Sequence, residues 1–481
     1  MDALRNAQLL VEAPSSLPEI TGLTADTRHL TPGTLFCAVR GVVQDGHAFL
    51  PAAATRGAAA ALVEERQAVS IPQIVVRDGR RAAAVAAETW YGRPAARLKL
   101  IGVTGTNGKT TSVTLARHVL SGLSPFGPTG SIGTLGAFDP AGASVESEAG
   151  NLTTPGPIDL QATLAALIER GAKGVAMEVS SHSLDQGRVD GLVFQAAIFT
   201  NLTRDHLDYH KTFDAYFAAK ARLISYLAPD GLAVINADDP AWAKLPAAPH
   251  RITFGERGKA DVTAADVTAD ARGARFTLVT AAGRHPVALP LLGRFNVANA
   301  LGVAACAVGL GMRPAEVGER LSTAPQVPGR MERIAADPCT VLRDYAHTPD
   351  ALERALETTR DITAPGGRVI VVFGAGGDRD RGKRAPMGAA AARLADVAIA
   401  TSDNPRTEDP ERILDDVESG MGKRPHYRVT DRRAAIGQAL ELARLEDTVL
   451  LAGKGHETYQ VVGTVKQPFD EREIVRDFGA A

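Results

Sequence analysis

The middle of the chain alternates short apolar runs with stretches of helical spacing. The runs "LKLIGVTG", "GVAMEVSS" and "QAAIFTNL" are bounded by glycine or polar residues, which is typical of buried strands. Between them, "IDLQATLAALIERGA" has the spacing of a crossover helix. Because strands that alternate with helices usually form parallel sheets, this block predicts a mainly parallel sheet covered by helices.

A second alternating block begins after "PQVPGRMERI". Its predicted strands are "RVIVVFGAGG", "DVAIATSDNP" and "DTVLLAGKGHE", and its predicted helices are "APMGAAAARLA" and "ERILDDVESG". Each strand ends in charged residues or glycine. Open α/β sheets bind ligands beyond the carboxyl ends of their strands, so each block predicts a ligand-binding edge.

The N-terminal part carries weaker signals. "GTLFCAVRG" and "ALVEE" predict strands, the spacing of "PAAATRGAAAALVEE" predicts packed helices, and the Arg-Pro of "YGRPAARLKL" marks a junction. A chain of 481 residues suggests about three domains. We therefore predict an α/β protein with a small N-terminal α/β domain (1–97), a central parallel-sheet domain (98–328) and a C-terminal Rossmann-like α/β domain (329–481).

Composition narrows the class of protein. A net charge of -2 gives no reason to expect nucleic acid or an anionic membrane as a partner. Cys37, Cys306 and Cys339 lack metal or disulfide spacing, which is typical of reduced thiols. The N-terminus lacks a signal-peptide pattern, and no window approaches ~18 uninterrupted apolar residues. We expect a cytoplasmic monomer without membrane insertion.

The stretch "IGVTGTNGKTTSVTLARHV" (101–119) predicts a phosphate-binding loop between a strand and a helix. Gly105, Gly108, Lys109 and Thr110 match the end of a Walker A loop, but Gly102 lies one position too early for the strict pattern. Lys109 would neutralise the outer phosphates of a nucleotide, and the Thr110 hydroxyl would occupy a magnesium position. The central domain is therefore predicted to bind a nucleoside triphosphate through this loop, and an ordinary glycine-rich turn between strand and helix is the alternative.

Two polar segments follow the next predicted strands. "AMEVSSHSLDQGRV" and "FTNLTRDHLDYHKTFDAYFAAKARL" are rich in groups that can bind a metal or a phosphate. From their composition alone, solvated loops explain the two segments equally well. Lys220, on the predicted helix of the second segment, reads by itself as a solvated lysine.

Seven motifs in a fixed order remove this ambiguity. "GVTGTNGKTT", "MEVSSHSL", "TNLTRDHLDYH", "LGRFNVANALGVAA", "VPGRMERI", "DYAHTPDALERAL" and "GAGGDRDRGKR" together resemble the Mur ligase family of ATP-dependent amide-bond-forming enzymes, over nearly the whole chain. The early Gly102 is similar to this family's loop. "DTRHLTPGTLFCAVRGVVQDGHAFL" resembles the uridine-nucleotide-binding start of the member that adds the third residue of the peptidoglycan stem peptide.

The resemblance implies a reaction in peptidoglycan synthesis. ATP would activate the side carboxylate of D-glutamate in UDP-N-acetylmuramoyl-L-alanyl-D-glutamate as an acyl phosphate, and an amine of meso-diaminopimelate would attack it. ADP and phosphate would leave, with Mg²⁺ as cofactor. Such an activity would serve cell wall biogenesis, cell shape and cell division.

The resemblance also assigns residues. The ATP positions are Gly105, Thr106, Asn107, Gly108, Lys109, Thr110, Thr111, Asn296, Asn299, Arg330 and Asp344. The positions for the uridine substrate are Thr27, Thr153, Thr154, Ser180, Gln186 and Arg188. The metal-associated positions are Thr110, Glu178, His206 and Lys220, where Lys220 matches the lysine that the family carbamylates. Lys109, His206 and Lys220 are the expected catalytic residues.

The segment "SDNPRTEDPERI" bears on the choice of amino acid. It resembles the motif of the ligases that add meso-diaminopimelate, although a lone Asp-Asn-Pro is more often a turn before a helix. The guanidinium of Arg406 can bind the second carboxylate of diaminopimelate bidentately. The matching amino-acid positions are Arg379, Asp403, Asn404, Pro405, Arg406, Gly453 and Glu457, and Glu457 would pair with the distal ammonium.

Alternative functions stay open at this point. If the added amino acid were L-lysine, Arg406 would have no second substrate carboxylate to bind. A folylpolyglutamate synthetase would share the ATP loop, but the uridine-type N-terminal segment argues against it. A catalytically inactive nucleotide-binding or scaffold protein would be expected to lack the loop lysine or a metal ligand, and neither is lost here. A P-loop kinase acting on a small alcohol would give Lys220 and Arg406 no role.

Overall fold

A computed structural model describes residues 1–41, 44–146 and 152–480. The chain divides into two compact units, Met1–Thr263 with Leu301–Val317 and Ala264–Ala300 with Gly318–Ala481. Among the described residues, no helix is both long and apolar enough to cross a membrane. The domain boundaries at 97/98 and 328/329 stay predictions.

The first unit begins with a small sheet in the order β1-β5-β4-β3-β2. Helix α3 packs against α5 of the following segment, and Ile158 of α5 lies in the same apolar cluster as Leu62 and Ala83. The elements are α1 (Asp2–Asn6), β1 (Leu10–Glu12), β2 (Gly22–Thr24), β3 (Thr34–Cys37), α2 (Leu50–Thr55), β4 (Ala60–Val63), β5 (Gln73–Val76) and α3 (Gly79–Trp90).

A second sheet of this unit contains the strands β13-β12-β11-β6-β10-β7-β8-β9 in that order. Strand β6 lies between β10 and β11 and is parallel to both. The elements are β6 (Lys99–Thr104), α4 (Lys109–Leu120), β7 (Thr129–Gly133), β8 (Gly136–Phe138), β9 (Ser144–Val145), α5 (Pro157–Glu169), β10 (Gly174–Glu178), α6 (Ser181–Asp185), β11 (Phe194–Phe199), α7 (Leu207–His210), α8 (Phe213–Ala221), β12 (Leu227–Asn236), β13 (His250–Gly255) and β14 (Val262–Asp270).

The second unit holds a six-stranded sheet in the order β17-β18-β22-β19-β20-β21. The chain reaches it through β15 (Gly273–Thr280), β16 (Gly283–Leu289), α9 (Phe295–Gly309) and α10 (Pro314–Ser322). The remaining elements are β17 (Glu332–Ala335), β18 (Thr340–Asp344), α11 (Pro349–Ile362), β19 (Val369–Phe373), α12 (Arg384–Leu394), β20 (Val397–Ala400), α13 (Pro410–Glu418), β21 (Tyr427–Arg428), α14 (Arg432–Leu442), β22 (Thr448–Ala452), β23 (Tyr459–Val462), β24 (Val465–Pro468) and α15 (Glu471–Asp477).

The core of this sheet shows why its strands read as continuous apolar runs. Along β19, Val371 and Phe373 belong to one apolar cluster, whereas Ile370 and Val372 belong to another. Successive side chains of a strand point to opposite faces, so the strand is buried on both. Helices cover each face, as the alternating pattern predicted.

The structure confirms the α/β class and the positions of the predicted strands and helices in both alternating blocks. The helical prediction for the alanine-rich stretch was only partly right. The stretch is helical in α2, whereas Ala60–Val63 forms the buried strand β4, which the strand signal of "ALVEE" predicted. Alanine fits either element, and pairing with β3 and β5 decides the conformation here. Cys37, Cys306 and Cys339 are buried free thiols.

Candidate active site

The predicted phosphate loop joins β6 to α4 at the carboxyl edge of the central sheet. Gly105 has a φ of 146°, and a Cβ there would lie 1.9 Å from the Thr200 hydroxyl, so only glycine fits. Gly108 also has a positive φ and immediately precedes α4. Residues that follow β11 fix the backbone of the loop. The Thr200 hydroxyl donates to the Asn107 carbonyl (2.7 Å), and the Asn107 amide donates to Asn201 Oδ1 (2.9 Å).

Two lysines meet at this loop. Lys109 Nζ donates to the carbonyls of Gly105 (2.9 Å) and Thr106 (2.8 Å), and Lys220 Nζ donates to the same Gly105 carbonyl (2.7 Å). Thr110 and Thr111, at the start of α4, are buried. The predicted loop residues 105–111 therefore form one structural feature, in which one carbonyl oxygen accepts from both Lys109 and Lys220.

Lys220 is not a solvated helical lysine. Its side chain is 1% exposed, and its ammonium lies 4.7 Å from the centre of the Tyr216 ring. Burial lowers the pKa of Lys220 well below its ordinary value, and the positive charge of Lys109 lowers it further. Both effects favour the neutral amine over the ammonium.

A group of aromatic and imidazole rings borders the loop. The His182 ring centroid lies 4.9 Å from that of His206, 5.4 Å from that of His210 and 4.3 Å from that of Tyr209. Burial, with His206 and His210 nearby, lowers the pKa of His182 to about 4. Burial also lowers the pKa of His206, and the nearby charge of Lys109 lowers it further. Burial thus disfavours the charged forms of His182 and His206.

Glu178 ends β10, next to the phosphate loop. Its carboxylate is buried and accepts from the Thr134 amide (2.8 Å) and the Thr134 hydroxyl (3.2 Å). The Thr134 hydroxyl also lies 3.1 Å from that of Thr153. Next along the chain, the Thr154 hydroxyl donates to the Glu178 carbonyl (2.9 Å) and accepts from the Ser180 amide (3.2 Å). The structure thus brings one metal-associated residue together with three predicted uridine-substrate residues.

Gln186 and Arg188 extend this network into a pocket of about 290 Å³. Arg188 donates to Gln186 Oε1 (3.0 and 2.6 Å) and to the Thr154 carbonyl (3.1 Å). Residues from the small sheet domain and from α5 complete the lining, among them His29, Arg80 and Asp159. Thr27 is partly exposed on the single-turn helix Thr27–His29, and within the described chain it is not among the lining residues.

Arg80 was missed by sequence reasoning. Its guanidinium donates to the Arg40 carbonyl (3.0 and 2.6 Å) and to the Gln186 carbonyl (3.4 Å). Burial and the charge of Arg80 lower the pKa of Arg188. Neither Arg80 nor Arg188 forms an ion pair with a carboxylate of the described residues. Two guanidiniums without carboxylate partners suit an anionic ligand.

In the second unit, the predicted nucleotide contacts lie in two places. Asn296 and Asn299 are buried on α9, where Asn299 Nδ2 donates to Asn296 Oδ1 (2.9 Å). Asp344 ends β18. Burial raises the pKa of its carboxyl, although the positive charge of Arg330 acts in the opposite direction. The Arg330 guanidinium lies 4.8 Å from the centre of the Tyr345 ring.

The predicted amino-acid residues follow β19, β20 and β22, which are adjacent parallel strands. Arg406 has a φ of 52°, a strained conformation for arginine that is typical of functional sites. Its guanidinium donates to the Gly377 carbonyl (2.7 Å) and forms no ion pair with a carboxylate of the described chain. The carbonyl oxygen of Pro405 packs closely against Gly377. A Cβ at position 377 would lie only 1.9 Å from that oxygen. Arg379 is exposed nearby.

Two carboxylates lie beside this arginine loop. Burial would raise the pKa of Asp403, but Lys454 and Arg432 hold it below its ordinary value. Burial raises the pKa of Glu457, whose carboxylate accepts from Asn404 Nδ2 (2.9 Å). A Cβ on Gly453, which has a φ of 117°, would lie 3.3 Å from Asp403 Oδ2.

The donor set of the first unit fits magnesium only in part. No group of three His, Cys, Asp or Glu side chains within the described ranges could hold a metal ion. Glu178 and the Thr110 hydroxyl supply oxygen, whereas unmodified Lys220 offers no oxygen ligand of the kind that Mg²⁺ prefers. A carbamate on Lys220 would add oxygen ligands, and Mg²⁺ commonly takes its remaining ligands from water and substrate phosphates.

Comparisons with known proteins agree with these features. Residues 19–94 match the model of the Mur ligase family catalytic domain, 103–307 the Mur ligase middle domain and 329–455 the Mur ligase glutamate ligase domain. A UDP-N-acetylmuramoyl-L-alanyl-D-glutamate--2,6-diaminopimelate ligase from Gloeobacter violaceus is 44% identical over 99% of this chain and 98% of its own length. The chain belongs to the Mur ligase family.

Solved structures extend this likeness to the fold. A UDP-N-acetylmuramoyl-L-alanyl-D-glutamate--2,6-diaminopimelate ligase is 35% identical to this Mur ligase, with a TM-score of 0.65, over 97% of this chain and 96% of the other. A Mycobacterium tuberculosis folylpolyglutamate synthase complexed with ADP and AMPPCP is 19% identical, with a TM-score of 0.65, over 83% and 96%. At that identity the second likeness concerns the fold alone. The three-domain α/β architecture predicted from the sequence is that of the Mur ligases.

Proposed function

We propose that this Mur ligase uses ATP to join meso-diaminopimelate to UDP-N-acetylmuramoyl-L-alanyl-D-glutamate in peptidoglycan synthesis. The observation that carries the choice of amino acid is the loop at Arg406. The Arg406 guanidinium forms no ion pair with any carboxylate of the described residues, so it can bind a substrate carboxylate. Glu457 lies near it and can bind an ammonium on the same carbon of the substrate. The names of the full-length relatives support the same substrates.

In the first step, the D-glutamate side carboxylate attacks the γ-phosphorus of ATP. An oxygen–phosphorus bond forms, the bond to ADP breaks, and an acyl phosphate results. Lys109 and the amides of residues 105–111 would hold the phosphates, because the loop backbone is fixed by its bonds to Thr200 and Asn201. Arg80 and Arg188, which line the pocket of the first unit, suit the anionic groups of the uridine substrate.

In the second step, the neutral amine of diaminopimelate attacks the acyl carbon. The amide bond forms, inorganic phosphate leaves, and the amine releases a proton. Arg406 would bind the carboxylate at the far end of the amino acid, and Glu457 the ammonium there. Both groups would fix the far end of the amino acid in this pocket and leave its other amine free to attack.

We also propose that Lys220 carries a carbamate. A carbamate forms by attack of a neutral amine on CO₂, and burial beside Lys109 favours the neutral amine. Thr110, Glu178, His206 and the carbamate of Lys220 would hold Mg²⁺, which supplies charge neutralisation at the phosphates when bound.

L-lysine and folate substrates are the alternatives. Lysine lacks the second carboxylate, so it would leave Arg406 unpaired. The likeness to a folylpolyglutamate synthase is one of fold. We place the domain boundaries at 97/98 and 328/329, outside the three family matches, and propose a cytoplasmic monomer without a nucleic-acid partner.

Release of phosphate by the purified protein tests the function. We expect release only when ATP, the uridine substrate and meso-diaminopimelate are all present. Equal release without the uridine substrate, or with glutamate in place of diaminopimelate, would refute the proposed function.

A further inference from the structure

A fully buried lysine lies behind the amino-acid loop. Lys454 is 0% exposed, and its Nζ donates to Asn404 Oδ1 (2.9 Å) and to the Tyr459 carbonyl (2.9 Å). The same ammonium lies 3.2 Å from the Asp403 carboxylate and 3.8 Å from the Glu457 carboxylate. A buried charge is costly unless it is paired and hydrogen-bonded, and Lys454 is both.

The hairpin β23–β24 is tied to the loop Asp403–Arg406 at several points. Asn404 Oδ1 accepts from the Val461 amide (2.9 Å), and Gln460 Nε2 donates to the Asp403 carbonyl (2.6 Å). The Arg406 amide donates to the Val461 carbonyl (3.0 Å). Lys454 joins the same assembly through Tyr459. We call these contacts, centred on Lys454, the clasp.

We propose that Lys454 is a positioning residue for the amino-acid substrate, and that the clasp fixes the groups that bind both charges at its far end. This inference rests on the proposed function. Two carboxylates that converge repel each other, and one tends to take up a proton unless a cation lies between them. Lys454 supplies that cation for Asp403 and Glu457.

The same lysine reaches the arginine end of the pocket through the hairpin. Its bond to Tyr459 anchors the hairpin, which in turn pairs with the backbone of Arg406 at a positive φ. Because Lys454 has no exposed surface, it acts through these neighbours and does not itself touch the substrate. One buried ammonium thus supports both the Glu457 carboxylate and the Arg406 guanidinium.

The test compares Lys454→Met with Lys466→Met. Lys466 lies on the exposed strand β24 of the same hairpin, 4.2 Å from the Tyr459 ring centre, and serves as the matched control. With ATP and the uridine substrate saturating, we expect Lys454→Met to raise the KM for meso-diaminopimelate about tenfold or more. The KM values for ATP and the uridine substrate should stay within about twofold of wild type, and Lys466→Met should leave all three unchanged.

A double-variant cycle separates positioning from general support of the fold. If Lys454 acts through Glu457, Lys454→Met should add little to the KM for diaminopimelate in a Glu457→Gln background. If the two effects simply multiply, or if Lys454→Met raises all three KM values equally, the inference is overturned.

A second variant keeps the test decisive if the first one does not fold. If Lys454→Met does not fold, as judged by thermal melting, Gln460→Ala breaks the clasp from its partly exposed side. We expect Gln460→Ala to raise the KM for diaminopimelate about threefold with the other KM values unchanged, and an unchanged KM overturns the inference. Failure of the wild type to form product with diaminopimelate refutes the proposed function instead.

Discussion

Lys109 and Lys220 donate hydrogen bonds to one atom, the carbonyl oxygen of Gly105, from 2.9 and 2.7 Å. Two ammonium groups so close repel each other, and the buried one is the more costly to keep charged. Burial is the main cause of the lowered pKa of Lys220, and the positive charge of Lys109 at the shared contact lowers it further. The shared contact also places the Lys220 side-chain nitrogen directly at the phosphate loop.

Replacing Lys220 should abolish most turnover without unfolding the protein. We expect Lys220→Ala to lower kcat about a hundredfold or more, because the carbamate that would help to hold Mg²⁺ cannot form. Short carboxylic acids should restore part of the activity by supplying an oxygen ligand. Steady-state phosphate release measures both effects.

The control for this experiment is Lys173→Ala. Lys173 is exposed next to β10, and its loss should leave kcat unchanged. Wild-type turnover by Lys220→Ala in buffer depleted of bicarbonate would show that the carbamate has no role.

Replacing Lys109 should separate ATP chemistry from binding of the uridine substrate. We expect Lys109→Ala to abolish product formation, because the phosphates lose their nearest loop cation. Binding of the uridine substrate should change little, since the pocket is lined by Arg80, Gln186 and Arg188. Isothermal calorimetry measures this affinity, and a comparable loss of affinity would mean that the loop binds a different ligand.

Replacing Arg406 should affect one substrate. Truncating one partner of a desolvated charge pair costs about 2 to 5 kcal/mol, so kcat/KM for meso-diaminopimelate should fall about thirtyfold or more in Arg406→Ala. The KM for ATP should not change. L-lysine should not become an equivalent substrate, because removing a carboxylate site does not build a lysine pocket.

Arg412→Ala is a suitable control, because Arg412 is exposed on the neighbouring helix α13. Undiminished use of diaminopimelate by Arg406→Ala would remove the basis for the amino-acid assignment, while the assignment to the ligase family would stand.

Glu408, on the loop that carries Arg406, should make the stability of the protein depend on pH. Glu408 accepts from Arg384 (2.9 Å), and bonds from Arg384 and the Asp378 amide lower the pKa of its carboxyl from 4.5 to about 2. A carboxyl whose pKa is lower in the folded state stabilises fully above its unfolded pKa, and this stability is lost as the pH falls toward the folded pKa. Glu408→Gln should therefore cost roughly 2 to 3 kcal/mol at pH 7 and less at pH 4.

Urea unfolding of wild type and variant at both pH values measures this difference. Glu319→Gln, at an exposed position on α10, should show no comparable change. A destabilisation by Glu408→Gln that is equal at pH 4 and pH 7 would argue against a contribution from the charged form.

Local pattern predicted the strands that carry the site, because apolar runs with glycine at their ends are distinctive. It could not predict the burial of Lys220, since a lysine on a short helix is usually solvated, and only the family resemblance singled it out. Arg80 was missed because its role depends on packing of α3 against α5, a contact between distant segments. Lys454 was missed because "GKGHE" gives no sign that its lysine is buried.

The alanine-rich segment after α2 shows a different limit. Ala60 and Ala61 are fully buried in β4, although their spacing also fits a helix. Alanine has no side chain large enough to mark one face, so pairing with neighbouring strands decides the conformation.

The mass of the product formed in competition tests the central claim most directly. Purified protein is given ATP, the uridine substrate and equal concentrations of meso-diaminopimelate and L-lysine, and the products are resolved by mass spectrometry. We predict a product whose mass exceeds that of the uridine substrate by diaminopimelate less water. A product that carries lysine instead, or no amide product at all, would contradict the account.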